Sequence, residues 1–247
     1  MTAVRPRDAE RIDTLMEKAS RDLAACRYFE AERACVEALA RAHAAGDYER
    51  MARIVMPLQE ARRQKRDMAF DATEEVTLVN DALPSGRALR PGCYLVAPPR
   101  VGVDGRALRE AADRKKVPTI IVVREPTTRD GLWPIVAIGP VTFRARVQPP
   151  PGGPDALPTR EWMLEANEAL GDAGIAQVPP GADPYTRADM LYERLQAHPD
   201  HEKLHQFLAD ACREAARSPR PAAHRRRQMM ALDELEAESD TDESDAD

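Results

Sequence analysis

Cys93-Tyr94-Leu95-Val96, Ala97-Pro98-Pro99-Arg100-Val101-Gly102 and Thr119-Ile120-Ile121-Val122-Val123 are the stretches on which the fold turns. The first and last are short apolar runs of strand length, and the second is a Pro- and Gly-punctuated loop. Between the loop and the second run, Asp104 stands where an N-cap belongs. Ala107, Leu108, Ala111 and Ala112 then mark one helical face that ends at Lys115-Lys116, cations suited to a helix C-terminus. Strand, helix, strand is a β-α-β unit, for which a right-handed crossover between parallel strands is strongly preferred.

Downstream, Trp133 to Ile138 is another apolar run, broken by Gly139-Pro140. Val141, Phe143, Ala145 and Val147 then alternate with Thr142, Arg144, Arg146 and Gln148, which predicts a strand with one core face and one wet face. The punctuation at Leu83-Pro84-Ser85-Gly86 and Pro91-Gly92 opens this module. Pro149-Pro150-Pro151-Gly152-Gly153-Pro154 closes it, because that run can neither pair in a sheet nor continue a helix. Residues 84–148 are therefore expected to form a small α/β module, followed by a linker over 149–158.

The flanking sequence reads as helix. Ile12, Leu15, Met16, Ala19 and Leu23, and then Phe29, Cys35, Val36 and Leu39, repeat at helical spacing on either side of a turn at Cys26-Arg27-Tyr28. Gly46 is a helix terminator and Asp47 a cap, after which Met51, Ile54, Val55 and Leu58 carry a third helix through Pro57, where a kink is expected. Residues 1–83 and 159–232 are thus expected to be helical regions on either side of the module, giving a mixed α and β, helix-dominated fold.

The order Ala19, Leu23, Arg27-Tyr28, Ala31, Cys35, Ala38-Leu39 resembles a tetratricopeptide repeat, with small residues where two helices cross and a turn tyrosine between them. Gly46-Asp47-Tyr48 repeats the turn signature. A second stretch is similar: Ala188, Leu191, Tyr192 and Leu195 precede Pro199, and Leu204, His205, Leu208, Ala209 and Cys212 follow it. The resemblance covers residues 12–58 and 187–215. It implies helical hairpins that dock another protein, with the matching residues serving as packing positions rather than as binding residues.

Composition narrows the classes further. Aromatic residues make up 4% of a chain that is 43% hydrophobic, which favours helix contacts built on small residues. Cys26, Cys35, Cys93 and Cys212 form no C-x-x-C pair, so no zinc ribbon or thioredoxin-like motif is present, and reduced, mostly buried thiols are expected. The longest aliphatic run, Ile120 to Val123, is far too short to span a bilayer. With no secretion signal read at the N-terminus, no membrane association and a cytoplasmic location are expected. The net charge of −6 hides a division: residues 84–148 carry +7 and residues 233–247 carry −9.

Four features bear on chemistry. His201-Glu202-Lys203-Leu204-His205 fits the H-E-x-x-H pattern of zinc hydrolases, in which two histidines one turn apart bind the metal and the glutamate activates water. Against that reading, Lys203 sets a cation inside the motif. Cys212 lies about 10 Å along the same helix from His205, too far to share a metal. The motif also follows Pro199-Asp200, where an exposed first helical turn is expected. The loop Pro98 to Asp104 sits where α/β folds bind phosphate, yet it lacks a glycine fingerprint for nucleotide binding.

The third feature is the arginine-rich surface of the module. Arg100, Lys115, Lys116, Arg144 and Arg146 are its candidate anion-binding residues, and nucleic acid is the partner class they suggest. No stacking aromatic flanks Arg144 and Arg146, as it would on an RNA-binding sheet. The fourth is the end of the sequence, where Arg225-Arg226-Arg227 precedes the acidic run 233–247, expected to be a disordered tail with Ser239, Thr241 and Ser244 among the acids. No catalytic residue, metal ligand or cofactor is assigned. The expectation is a non-catalytic adaptor that binds another protein through its helices, with nucleic-acid binding through the basic module as the alternative and a zinc hydrolase at the H-E-x-x-H motif as the remote one.

Overall fold

A computed structural model describes residues 6–153 and 156–219. The acidic run 233–247 and Arg225-Arg226-Arg227 lie outside the described residues. In chain order the elements are α1 (Pro6–Ala24), α2 (Tyr28–Ala45), α3 (Tyr48–Ala72), β1 (Val76–Val79), β2 (Gly92–Val96), α4 (Gly102–Lys115), β3 (Thr119–Val123), β4 (Trp133–Ile138), β5 (Thr142–Val147), α5 (Arg160–Ala176), α6 (Pro184–Ala197) and α7 (Glu202–Arg217). The fold is mixed α and β and dominated by helix. The chain divides into a helical unit, made of residues up to Leu58, Asp183–Ala188 and residues from Leu208 on, and a sheet unit, Gln59–Ala182 with Asp189–Phe207.

In the helical unit, α1 and α2 form the expected hairpin. The buried face of α2 is Ala31, Ala34, Cys35, Ala38, Leu39 and Ala42, small residues that let the helices approach closely. Gly46 adopts the left-handed conformation at φ 64°, and the next amide, Asp47 N, donates back to Ala42 O at 2.8 Å, closing α2 with a Schellman turn. Asp47 caps α3 by accepting from Arg50 N–H at 3.0 Å. The Arg50 guanidinium ties this end to α1 through two hydrogen bonds of 3.0 Å to Asp13. Tyr48 meets Tyr185 edge to face at 5.1 Å, and the Tyr185 hydroxyl donates to Ser218 O at 2.7 Å. Pro57 lies inside α3, which continues beyond it to Ala72.

The sheet unit is organised by β2, the middle strand of a parallel sheet ordered β1-β2-β3 and buried along its whole length. Alternate residues serve opposite faces, as the pleat requires. Cys93, Leu95, Ile120 and Val122 share one cluster with Trp162, Met163, Ala166 and Leu170 of α5. Tyr94, Val96, Ile121 and Val123 share the other with Leu108 and Ala112 of α4. A parallel sheet is stable only when both faces are covered, and the two helices cover one each. The antiparallel pair β4-β5 adjoins through an Arg124–Ile135 bridge. Trp133 and Trp162 meet edge to face at 5.5 Å, with the Trp162 indole donating to Gln148 O at 3.0 Å.

Three boundaries differ from the sequence expectation. Helix ends at Ala72 within the region 1–83, and Val76–Val79 pairs in register with Cys93–Val96. The α/β module therefore starts before Pro84, because β2 needs a partner on its outer side. Asp104 is the third residue of α4 rather than its cap: its carboxylate accepts from Val101 N–H at 2.8 Å, one turn back. Finally, α5 opens the helical region expected over 159–232, but its apolar face covers the sheet, so the sheet's core extends past residue 148.

The fit of α4 on the sheet leaves no space at Gly105, where a Cβ would stand 2.2 Å from Val123 Cγ2. Gly105→Ala is expected to lower stability by ~1–3 kcal/mol in denaturant unfolding, and Val123→Ala to restore part of that loss in the double variant. An unchanged midpoint in the single variant would show that α4 does not lie this close.

Candidate functional site

The H-E-x-x-H segment is buried, contrary to the expected exposed turn: His201 and His205 are each 1% exposed. Burial comes from residues distant in sequence. Gly171 of α5 leaves room for the His201 ring, which a Cβ there would meet at 2.1 Å. His201 Nδ1 accepts from Leu204 N–H at 3.3 Å, so its proton sits on Nε2, which lies 3.3 Å from Glu168 and 3.4 Å from Asp172 without an aligned hydrogen bond. His205 donates from Nδ1 to His201 O at 2.9 Å and receives Arg62 Nη1 on Nε2 at 3.2 Å. Neither nitrogen of His205 has a lone pair free for a metal. Glu202 pairs with Arg66 at 2.6 Å and Lys203 with Asp172 at 2.9 Å. Among the described residues, no group of three or more His, Cys, Asp or Glu is placed to hold a metal ion. The segment starts a helix and locks it against α3 and α5.

His198 completes this buried polar layer. Its Nε2–H donates to Asn167 O at 2.9 Å, and its ring lies 6.0 Å from that of His201. Burial lowers its pKa to about 4, with Arg109 and His201 pushing the same way and Asp200 and the Asn167 carbonyl opposing. Burial alone raises the Asp200 carboxyl, but Arg109 at 2.7 Å and His198 outweigh it and leave it below the ordinary carboxylate value. A cleft of about 350 Å³ opens beside His198 between α4, β4 and the end of α6. Its charged groups are already matched, Arg109 to Asp200, Arg106 to Glu110 at 2.9 Å and Asp113 to Lys65 at 2.6 Å.

The five candidate anion-binding residues do not converge. Arg100 and the Lys115-Lys116 pair stand at opposite ends of α4, about 20 Å apart at 1.5 Å per residue. Arg100 donates to Asp81 O at 2.5 Å and pairs with Asp104 at 3.4 Å, so a carboxylate already occupies the start of α4 where a phosphate would bind. Lys115 reaches Gly86 O at 3.4 Å, and Lys116 is the left-handed residue that closes α4. Arg144 and Arg146 do share the exposed face of β5, but Arg144 binds Glu125 through two hydrogen bonds of 2.8 Å.

Several exposed cationic side chains gather in the helical unit. A groove of about 590 Å³ runs between α3 and α7, floored by Ala52, Met56 and Ala216 and rimmed by Arg53, Arg213 and Arg217, with Glu49 at one end. Arg213 pairs with Asp210 at 2.5 Å, whereas no carboxylate among the described residues forms an ion pair with Arg53 or Arg217. Met56 is 45% exposed, off the buried stripe of Met51, Ile54, Val55 and Leu58. A second groove, of about 670 Å³, shares Arg53 and is lined by Asp13, Met16, Glu17, Ser20 and Arg21 of α1, and Asp13 draws on the charge of Arg53 there. Sequence reasoning missed these residues; the one signal available was Met56, an apolar residue out of phase with its own helix.

No family model, characterised protein or solved structure matches this chain. Among the described residues, no helix is long and apolar enough to cross a membrane.

The sign of the His198 effect follows from its burial. Its folded value of about 4 lies below the ordinary 6.5, so unfolding takes up a proton between those values. Stability is expected to fall by ~3 kcal/mol as pH drops through that window. His198→Gln keeps a donor for Asn167 O and should flatten the fall in denaturant titrations at stepped pH. Asp200 titrates lower and leaves the window clear. An unchanged pH profile in the variant would show that His198 is not held neutral.

Proposed function

We propose that the protein is a non-catalytic adaptor that docks an acidic, partly apolar segment of another protein on the α3–α7 face of its helical unit. The observation that carries this reading is the groove itself: alanine and methionine side chains bordered by Arg53, Arg213 and Arg217, of which only Arg213 is held in a close ion pair among the described residues. Apolar side chains of a partner would cover Met56, and carboxylates would approach Arg53 and Arg217, whose planar guanidinium groups suit bidentate contact. Charge of this kind sets partner choice and association rate more than raw affinity. The resemblance of residues 12–58 and 187–215 to tetratricopeptide hairpins supports the same use of the helices.

A fluorescent peptide of alternating Leu and Glu is expected to bind the full chain, and its Lys-for-Glu counterpart not to bind. Arg53→Glu with Arg217→Glu should weaken binding by about tenfold or more, equivalent to ~1.4 kcal/mol. Binding that ignores the reversal of both charges would contradict the proposal.

A further inference from the structure

The cleft of about 350 Å³ beside His198 lies wholly within the sheet unit and is large enough for a small molecule. One stripe of α4 forms a wall of it, with Gly102 and Gly105 first and Arg106, Arg109, Glu110 and Asp113 after them. The two glycines close their end of the stripe onto the sheet, where a Cβ would stand 2.0 Å from Ile138 Cδ1 and 2.2 Å from Val123 Cγ2. Val123, Val136, Ile138 and Leu170 give the cleft aliphatic walls, and His198, only 3% exposed, lines it just past the end of α6. We propose that this cleft binds a small uncharged aliphatic alcohol, whose hydroxyl donates to Nδ1 of His198. The site is separate from the α3–α7 groove and does not depend on the docking role proposed for it.

Three considerations carry it. The first is the histidine. Its Nε2–H is committed to Asn167 O on α5, and the two ring nitrogens point roughly opposite ways, so Nδ1 directs its lone pair away from α5. Burial keeps the ring neutral, which leaves Nδ1 an acceptor, and it receives no hydrogen bond among the described residues. A buried acceptor in a cleft selects a ligand that brings a donor, because a ligand without one leaves it unpaired. The second is charge. Arg106 and Arg109 balance Glu110 and Asp113 among the lining residues, and each is already paired, Arg106 with Glu110, Arg109 with Asp200 and Asp113 with Lys65. An ionic ligand would have to break one of these pairs, whereas an uncharged one need not. A hydroxyl suits the site better than an amide, whose carbonyl would compete with Glu110 and Asp200 for the guanidinium groups. The third is shape: no Phe, Tyr or Trp side chain lines the cleft, so a flat base has no ring to stack on, and its aliphatic walls favour a saturated body.

The test titrates the full chain with cyclohexanol and with cyclohexanone, which match in size but only the first of which carries a donor, and follows both by nuclear magnetic resonance. Cyclohexanol is expected to shift the Nδ1 signal of His198 and the amide signals of Arg106, Gly139 and Ala197. Cyclohexanone should bind roughly fivefold more weakly, the worth of one hydrogen bond. Arg106→Trp, at an exposed position of α4, should block the cleft and weaken the alcohol by about tenfold or more. His198→Phe keeps a ring but removes Nδ1, and should make the two probes bind alike. If that variant does not fold, the preference for the alcohol and its loss in Arg106→Trp decide the matter. Equal affinity of the full chain for alcohol and ketone would refute the contact with Nδ1. Shifts that persist in Arg106→Trp would place the probe elsewhere, and no shift with either probe would show that the cleft holds only solvent; each would overturn the proposal.

Discussion

Strand β2 sits between two parallel neighbours and is buried on both faces, and the architecture of the sheet unit follows from that requirement. Its even-numbered side chains, Tyr94 and Val96, need a layer that α4 supplies, and its odd-numbered ones, Cys93 and Leu95, need one that α5 supplies. The Cys93 thiol is one measure of how dry that second face is: burial pushes its pKa up to about 11. A helix can lie directly on such a sheet only where its own side chains are small. Gly105 meets Val123 and Gly174 meets the Phe143 ring for that reason. Close approach in turn fixes where α5 presents Asn167, Glu168 and Gly171, and so where three histidines are buried.

The same economy of contact engages several of the sheet unit's cations. Of the residues that stood out as a binding surface, Arg144 is bound to Glu125, Arg100 to the loop that precedes it and Lys115 to Gly86 O, and elsewhere in the unit Arg109 pairs with Asp200 and Lys65 with Asp113. An exposed pair such as Arg144–Glu125 contributes little stability, but it occupies the cation. In the helical unit the balance is reversed. Its core is alanine-rich and its helices pack closely, which leaves Met56, Arg53 and Arg217 on the outside.

Much of this was legible from residue pattern alone. The runs Cys93–Val96 and Thr119–Val123 are too short and too apolar for anything but buried strands, and the alternation from Val141 to Val147 matches the observed faces of β5. Gly46-Asp47 ended one helix and began the next as its chemistry dictates. Strand β1 was not legible, because Val76-Thr77-Leu78-Val79 has two exposed residues between two buried ones and follows two glutamates, so no period announces it. The burial of His201 and His205 was not legible either. A proline and an aspartate before them suggest solvent, and the elements that cover them, α3 and α5, lie over 30 residues away in sequence. The docking groove escaped for a related reason: it is assembled from residues 49–56 and 213–217, and only the out-of-phase Met56 hinted at it.

The central claim is that the working surface is the α3–α7 groove rather than the arginine-rich sheet. A photo-reactive amino acid at position 56 of the full chain, compared with the same label at position 144, tests it most directly. The account predicts that light attaches an added peptide of alternating Leu and Glu at position 56 and not at position 144. Capture of the peptide at position 144 and not at position 56 would contradict it.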